Sequence, residues 1–411
     1  MSMQPYRIGI SGSYGGLNLG DEAILESIVR QLRASIPAEI TVFTRDSEDT
    51  LRRHDVNHAV RVRLMTRREA LAEVEKLDLL ILGGGGVLYD RDVELYLREV
   101  ALAHEAEVPV VVYAISAGPL SESNSRKLIA KHLNRAAAIT VRDRQSMKLL
   151  EEAGVEKEII LTADPALLLT PDSVPPNVMK RESLDVQHWR IGISVCELGL
   201  AAPDMDIDHY HALLATTADF MVARLDANVV FVPMELKKLD VQHSHAVVAR
   251  MQYAQRATVL KGEYTAPQML SLISHFQFCV GMRLHFLIFA ALQSVPFVAL
   301  PYASKVQGFL EDLDIPMPPL KDVTTGGLIA HIDRAWDRQG EIRQRIIERL
   351  PAVQERARQT NRIVVRVLSQ VRAIAGVCTA LAAGRIVEPC DVPVPDVQTD
   401  RLACPKKHII L

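Results

Sequence analysis

Over the first 170 residues, short apolar runs alternate with stretches whose apolar positions recur every three to four residues. The run Tyr6-Arg7-Ile8-Gly9-Ile10-Ser11 reads as a buried strand, and Ile24, Leu25, Ile28, Val29 and Leu32 then fall at helical spacing within residues 22–36. Strands are predicted again at 39–44, 77–82, 108–114, 138–141 and 158–162, with helices at 93–106, 125–135 and 145–153. This alternation is the βαβ rhythm of a parallel sheet. Thr170-Pro171-Asp172-Ser173-Val174-Pro175-Pro176 interrupts it, and the polar run to about residue 187 reads as a linker. The rhythm restarts with strands at 190–195, 228–232, 276–280 and 296–300 and helices at 210–224, 242–251 and 285–292. The pattern predicts an α/β chain of two Rossmann-like domains facing across a cleft: residues 1–170, a linker over 171–187, and residues 188–335. A helical C-terminal extension, residues 336–411, is charged and periodic to about residue 375. From Glu388 it is proline-rich and carries no readable chemistry.

Composition narrows the class. A chain of 411 residues exceeds one ordinary core, and 48% hydrophobic with 24% charged residues is globular. A formal net charge of -3 gives no basic face for nucleic acid, so no nucleic-acid partner is expected. Arg52-Arg53 and Arg67-Arg68 read as solvated helix faces. Cys196, Cys279, Cys378, Cys390 and Cys404 lack CxxC spacing, which argues against a structural zinc site or a disulfide framework. Residues 1–7 carry no signal pattern, and no apolar run approaches the ~20 residues that span a bilayer. The cytoplasm is the expected compartment.

Three loops at strand ends carry candidate chemistry. The first, Gly12-Ser13-Tyr14-Gly15-Gly16-Leu17-Asn18-Leu19-Gly20-Asp21-Glu22, brings glycines and a helix N-terminus together, as anion sites do, although its spacing is neither a P-loop nor a dinucleotide fingerprint. Asp21 and Glu22 either favour the helix dipole as first-turn acids or face a sugar hydroxyl. The second is Gly83-Gly84-Gly85-Gly86, where four flexible residues imply close approach to a ligand or to another loop. The third, Cys279-Val280-Gly281-Met282-Arg283-Leu284-His285, places Arg283 and His285 at a helix N-terminus, where a cation opposes the dipole unless an anion compensates. Lys305, after the next strand, adds an ammonium, or pairs with Glu311 or Asp312. Arg142-Asp143 and Asp164 end further strands, at the sheet edge where ligands bind in such folds; Arg142 and Asp143 also read as a plain ion pair. The lone Asp90-Arg91-Asp92 is too weak a pattern for a metal site, so none is assigned.

In order along the chain, Asn18-Leu19-Gly20-Asp21-Glu22-Ala23-Ile24-Leu25, the tetraglycine, Arg142-Asp143 with Ser146, Ala163-Asp164-Pro165, Met282-Arg283-Leu284-His285 and Lys305-Val306 resemble the polysaccharide pyruvyl transferase family. That resemblance implies a glycosyltransferase-B-like fold and phosphoenolpyruvate as co-substrate, with no further cofactor. The acceptor it implies is a sugar diol on a surface-polysaccharide precursor, free or as a lipid-linked oligosaccharide. It assigns Arg283, Lys305 and Gly281 to the donor site and His285 as general acid, since an imidazole titrates near ~6.5 and transfers protons at neutral pH. Asp21 or Glu22 would be the base, and Asn18, Gly20, Gly84, Gly85, Arg142 and Asp164 would line the rest of the cleft. A lipid-linked acceptor would bring the protein to the inner face of the membrane as a peripheral contact, and a homo-oligomer is compatible with all of this. Two positions depart from the pattern. Tyr302-Ala303-Ser304-Lys305 stands where the family often reads Tyr-Asp-Pro-Lys, and Ser194-Val195-Cys196-Glu197 where it often has an arginine. These leave open a changed donor, a nucleotide-sugar glycosyltransferase with Glu263 as ribose ligand, or an inactive binding subunit.

Overall fold

The computed structural model describes residues 4–184, 187–198, 205–236, 239–300, 303–315, 317 and 323–382. Tyr302 and the tail from Glu388 lie outside the described residues. The first domain is built on β1 (Tyr6–Ser11), β2 (Ala38–Phe43), β3 (His58–Val60), β4 (Leu79–Leu82), β5 (Gly85–Leu88), β6 (Val110–Ala117), β7 (Ala138–Val141) and β8 (Ile159–Leu161). All pair parallel, in the order β3-β2-β1-β4-β6-β7-β8, with β5 also against β6. The second sheet is parallel too: β9 (Trp189–Ser194), β10 (Ala227–Phe231), β11 (Ala257–Val259), β12 (Phe278–Gly281) and β13 (Phe297–Ala299), ordered β11-β10-β9-β12-β13. Register follows burial. β1 lies on β2 from Tyr6↔Ala38 to Ser11↔Phe43, which keeps Ile8 and Ile10 level with Ile40 and Val42, all fully buried.

The α/β class, the two sheets and the helical extension agree with the periodicity. The additions are short: β3 and β11 have three residues each, too few to show alternation. β5 begins inside the tetraglycine, which the sequence presents as a loop approaching a ligand or another loop. Gly85 takes φ +99° and the chain then runs extended along β6, with a register shift between Gly86 and Leu88. The linker holds the short helix Val178–Arg181, and Glu182 accepts hydrogen bonds from the Lys261 and Gly262 amides.

The domains meet along an apolar seam. Helix Leu19–Ser35 of the first domain packs on helices Ala266–Ile273 and Leu284–Leu292 of the second, so that Ile24, Leu25, Leu270, Leu287 and Ile288 belong to one buried cluster. The C-terminal helix pair begins on the second domain, where Thr325–Asp337 packs on helix Ile207–Leu225 and on β13, and continues as Gln339–Ala382. Its second helix returns to the first domain: Gln354 donates to the Leu167 carbonyl (2.9 Å) and Asn361 to the Ser35 hydroxyl (2.8 Å). Among the described residues no helix is long and apolar enough to cross a membrane.

Candidate active site

Both sheets present their carboxyl ends to the seam, and the loops beyond them interlock. Asn18 caps helix Leu19–Ser35, accepting from the amides of Gly20 (2.9 Å) and Asp21 (3.3 Å). The same stretch is stitched to the loop after β10: the Leu19 amide donates to the Met234 carbonyl at 2.8 Å, and Asn18 bridges Glu235 as an isolated antiparallel pair. The glycine loop is thereby fixed from both domains.

His285 stands at the start of helix Leu284–Leu292 with its ring against Gly20, so close that a Cβ there would lie 2.1 Å from Nδ1. Its Nε2, buried and without a hydrogen-bond partner, is 3.5 Å from Asp164 Oδ2. Asp164 accepts from Arg142 Nη1 (2.5 Å) and from the Ala166 amide (2.9 Å). Burial opposes its charge, but Arg142 and His285 outweigh burial and hold the carboxyl well below the usual range. Asp21 lies within electrostatic reach of the imidazole, with its Oδ1 close to Gly85. Burial pushes its carboxyl up, offset only in part by His285 and a hydrogen bond from Ser13. The imidazole thus shares its surroundings with two buried carboxyls that their environments shift in opposite directions, Asp164 down and Asp21 up. Lys305 joins from the second domain, lining a small pocket with Arg142, Asp164 and Leu284.

Several expectations need correction. Glu22 is engaged away from His285: Oε1 accepts the Gly15 amide (3.0 Å) and Oε2 meets His54 Nε2 (2.8 Å). Gly281 and Gly84 are closely packed. A Cβ on Gly281 would meet Phe286 at 2.5 Å, and one on Gly84 would meet Ile24 at 3.0 Å. Arg142 pairs with Asp164, not Asp143, which instead caps helix Arg144–Glu152 and accepts from Ser116 and Ser146. Glu263 is engaged by Arg52 and Arg53 across the seam and is unavailable to a ribose; Arg53 is accordingly buried, not solvated. Asp312 pairs with Arg356 of the extension.

Arg283 is the largest correction. Its guanidinium grips Asp240 through Nε (3.1 Å) and Nη2 (2.5 Å) and reaches Glu235 at 3.2 Å, so it is not the uncompensated cation that its position suggests. Asp240 is fully buried and also accepts the Met234 and Glu235 amides. Cys196 lies among Arg283, Asp240, Lys305 and Glu235, and burial pushes its thiol up to about 12, so it is no nucleophile at neutral pH. Sequence reasoning missed this half of the site, although the loop after β10 is a strand end like the others. Arg283→Ala is expected to cost about 3–5 kcal/mol in chemical denaturation, because Asp240 stays buried and unpaired. A loss below about 1 kcal/mol would show that the pair is not structural.

His54 meets Glu26 at Nδ1 (2.7 Å) and Glu22 at Nε2 (2.8 Å). Burial lowers its pKa, but the two carboxylates outweigh burial and bring it to about 8. The folded value exceeds the unfolded ~6.5, so the stabilisation is complete below about pH 6.5 and lost as pH rises through about 8. It amounts to about 2 kcal/mol. Melting of the native protein should fall over this window, and the fall should be absent in His54→Gln; equal slopes would refute the assignment.

The sequence profile of the family described as Polysaccharide pyruvyl transferase matches residues 18–304, from the cap of the first cleft helix almost to Lys305. The chain is 22% identical over 313 residues to the amylovoran biosynthesis protein AmsJ of Erwinia amylovora, covering 73% of this chain and 74% of the relative. In fold it is similar to the UDP-GlcNAc 2-epimerase of Neisseria meningitidis bound to UDP-GlcNAc (TM-score 0.60, 10% identity, 88% and 99% of the two chains). It is likewise similar to a glycosyltransferase of Rickettsia africae (TM-score 0.59, 8% identity, 90% and 99%). Those likenesses show a glycosyltransferase-B-type fold. With the profile spanning both sides of the interlocked cleft, the chain belongs to the polysaccharide pyruvyl transferase family, transferases of polysaccharide biosynthesis.

Proposed function

We propose that the protein transfers the pyruvyl group of phosphoenolpyruvate to two hydroxyls of a sugar on a surface-polysaccharide precursor, forming a pyruvate ketal. The observation that carries this reading is His285, 3.5 Å from Asp164 and packed against Gly20, the neighbour of Asp21, where both domains meet. An enol phosphate needs a proton on its methylene carbon, and His285 supplies it. C2 becomes oxocarbenium-like, and the first sugar hydroxyl bonds to it while Asp21 takes the hydroxyl proton. The C2–O bond to phosphate then breaks, and phosphate leaves with that proton as hydrogen phosphate. The second hydroxyl closes the ketal, and its proton restores His285. Asp164, anchored by Arg142, balances the imidazolium throughout.

Arg283 and Lys305, at the starts of helices Leu284–Leu292 and Ser304–Asp312, hold the anionic ends of the donor. Asp240 keeps the guanidinium in place while the donor displaces the longer contact to Glu235. The test is to run phosphoenolpyruvate with a diol-bearing sugar in D₂O. A ketal methyl carrying one deuterium, formed together with released phosphate, supports the reading. Phosphate release with no deuterium in the methyl group, or glycosyl transfer from a nucleotide sugar, refutes it.

A further inference from the structure

Next to the small pocket of Arg142, Asp164 and Lys305 lies a second, larger chamber of about 340 Å³ that the chemistry above leaves unused. Three parts of the chain build it: Arg142, Arg144 and Gln145 at the start of helix Arg144–Glu152, Gln307 and Glu311 on helix Ser304–Asp312, and Arg356 from the C-terminal extension. Its volume falls in the lower range of small-molecule sites, about 300–1,000 Å³. Where the helices pack the seam is apolar, whereas this stretch is walled by amides, guanidinium groups and carboxylates. Among the described residues the side chains of Arg144, Gln145, Gln307 and Glu311 make no hydrogen bond or ion pair.

Polar groups of both signs, gathered between two domains and unmatched by one another, suit a ligand rich in both donors and acceptors. A sugar ring is such a ligand. A phosphate or a nucleotide base fits the mixture less well, because Glu311 repels the first and no aromatic face lines the chamber for the second. Position completes the case. Arg142 forms the wall between this chamber and the pocket of Asp164, Leu284 and Lys305, and Asp164 in turn faces His285. A hexose in the chamber can therefore turn its diol toward the reacting centre. Arg356 stands on the far wall, held by Asp312, so the returning helix of the extension forms part of this binding surface.

We propose that this chamber is the acceptor subsite and binds the terminal hexose of the polysaccharide precursor, with Arg144, Gln145, Gln307 and Glu311 contacting its hydroxyls. The assignment rests on the pyruvyl-transfer reading, and its test separates the two. Saturation-transfer NMR on the full chain, with the methyl glycosides of glucose, galactose and mannose as probes, reports sugar binding; melting with phosphoenolpyruvate reports the donor site. Gln307→Trp, which fills the chamber, should reduce glycoside saturation to background and leave the phosphoenolpyruvate shift intact. Arg144→Ala, exposed and unpartnered, should weaken glycoside binding about tenfold without a folding defect. Glycoside signals that persist in folded Gln307→Trp, or that are absent with the parent protein, overturn the assignment. Loss of the phosphoenolpyruvate shift in Gln307→Trp also overturns it, by making the chamber part of the donor pocket. If glycosides bind in the chamber but phosphoenolpyruvate has no effect on the parent protein, the acceptor subsite stands and the pyruvyl-transfer reading fails.

Discussion

His285→Gln should lose about 10²–10⁴-fold in turnover, the usual contribution of a positioned general acid, while melting within a few degrees of the parent protein. Glutamine keeps hydrogen-bonding capacity near Asp164 but cannot deliver a proton to carbon. The imidazole is half-buried and its Nε2 has no hydrogen-bond partner, so the substitution removes little that holds the fold together. Phosphoenolpyruvate should still stabilise the variant, because the donor's charges are met by other groups. A folded variant with normal turnover would remove His285 from the chemistry. A loss above about 2 kcal/mol with activity unchanged per folded molecule would make it a packing residue.

The second large effect is expected at a residue with no chemistry of its own. Gly20→Ala should lower turnover by about a hundredfold. The added methyl would stand 2.1 Å from His285 Nδ1 and 2.7 Å from Cε1, closer than any real contact. Gly20 cannot readily retreat, since its amide is held by Asn18 and the neighbouring Leu19 amide by Met234 of the other domain. The imidazole therefore moves, and a misplacement of about 1 Å is enough for a loss of this size. Alanine itself is favourable in a helix by about 1 kcal/mol, which argues against general unfolding as the cause. Gly86→Ala is the control, because a Cβ there meets nothing within 4 Å. Equal activity of the two variants, measured on folded protein, would show that Gly20 does not set the histidine's position.

Much of this fold was legible because its strands are buried on both faces and its helices on one. Ile8 and Ile10, or Val111 and Val112, announce a parallel sheet through continuous apolar sequence, and Ile24, Leu25 and Ile28 announce the helix that follows. The strand-end rule likewise brought Asp21, Arg142, Asp164, His285 and Lys305 to one seam. What stayed hidden is pairing at long range. Nothing near Arg283 in sequence discloses Asp240, 43 residues away, as its partner, and nothing near Glu22 discloses His54. A local pattern says that a charged residue sits at a helix start. It does not say whether another part of the chain has already neutralised it. The glycines show the same limit: Gly20, Gly84 and Gly281 look alike in sequence, but only the first lies against a catalytic candidate.

The central claim is that the cleft binds an enol phosphate, and the most direct measurement is melting of the full-length protein against phosphoenolpyruvate and, separately, UDP-GlcNAc. Ligand that binds only the folded state raises stability by RT ln(1 + [L]/Kd), about 2.7 kcal/mol at a hundredfold excess over Kd. Phosphoenolpyruvate alone should produce a saturable rise in melting temperature, diminished in Lys305→Ala and retained in His285→Gln. UDP-GlcNAc should produce none. A saturable rise with UDP-GlcNAc and no response to phosphoenolpyruvate would contradict the account.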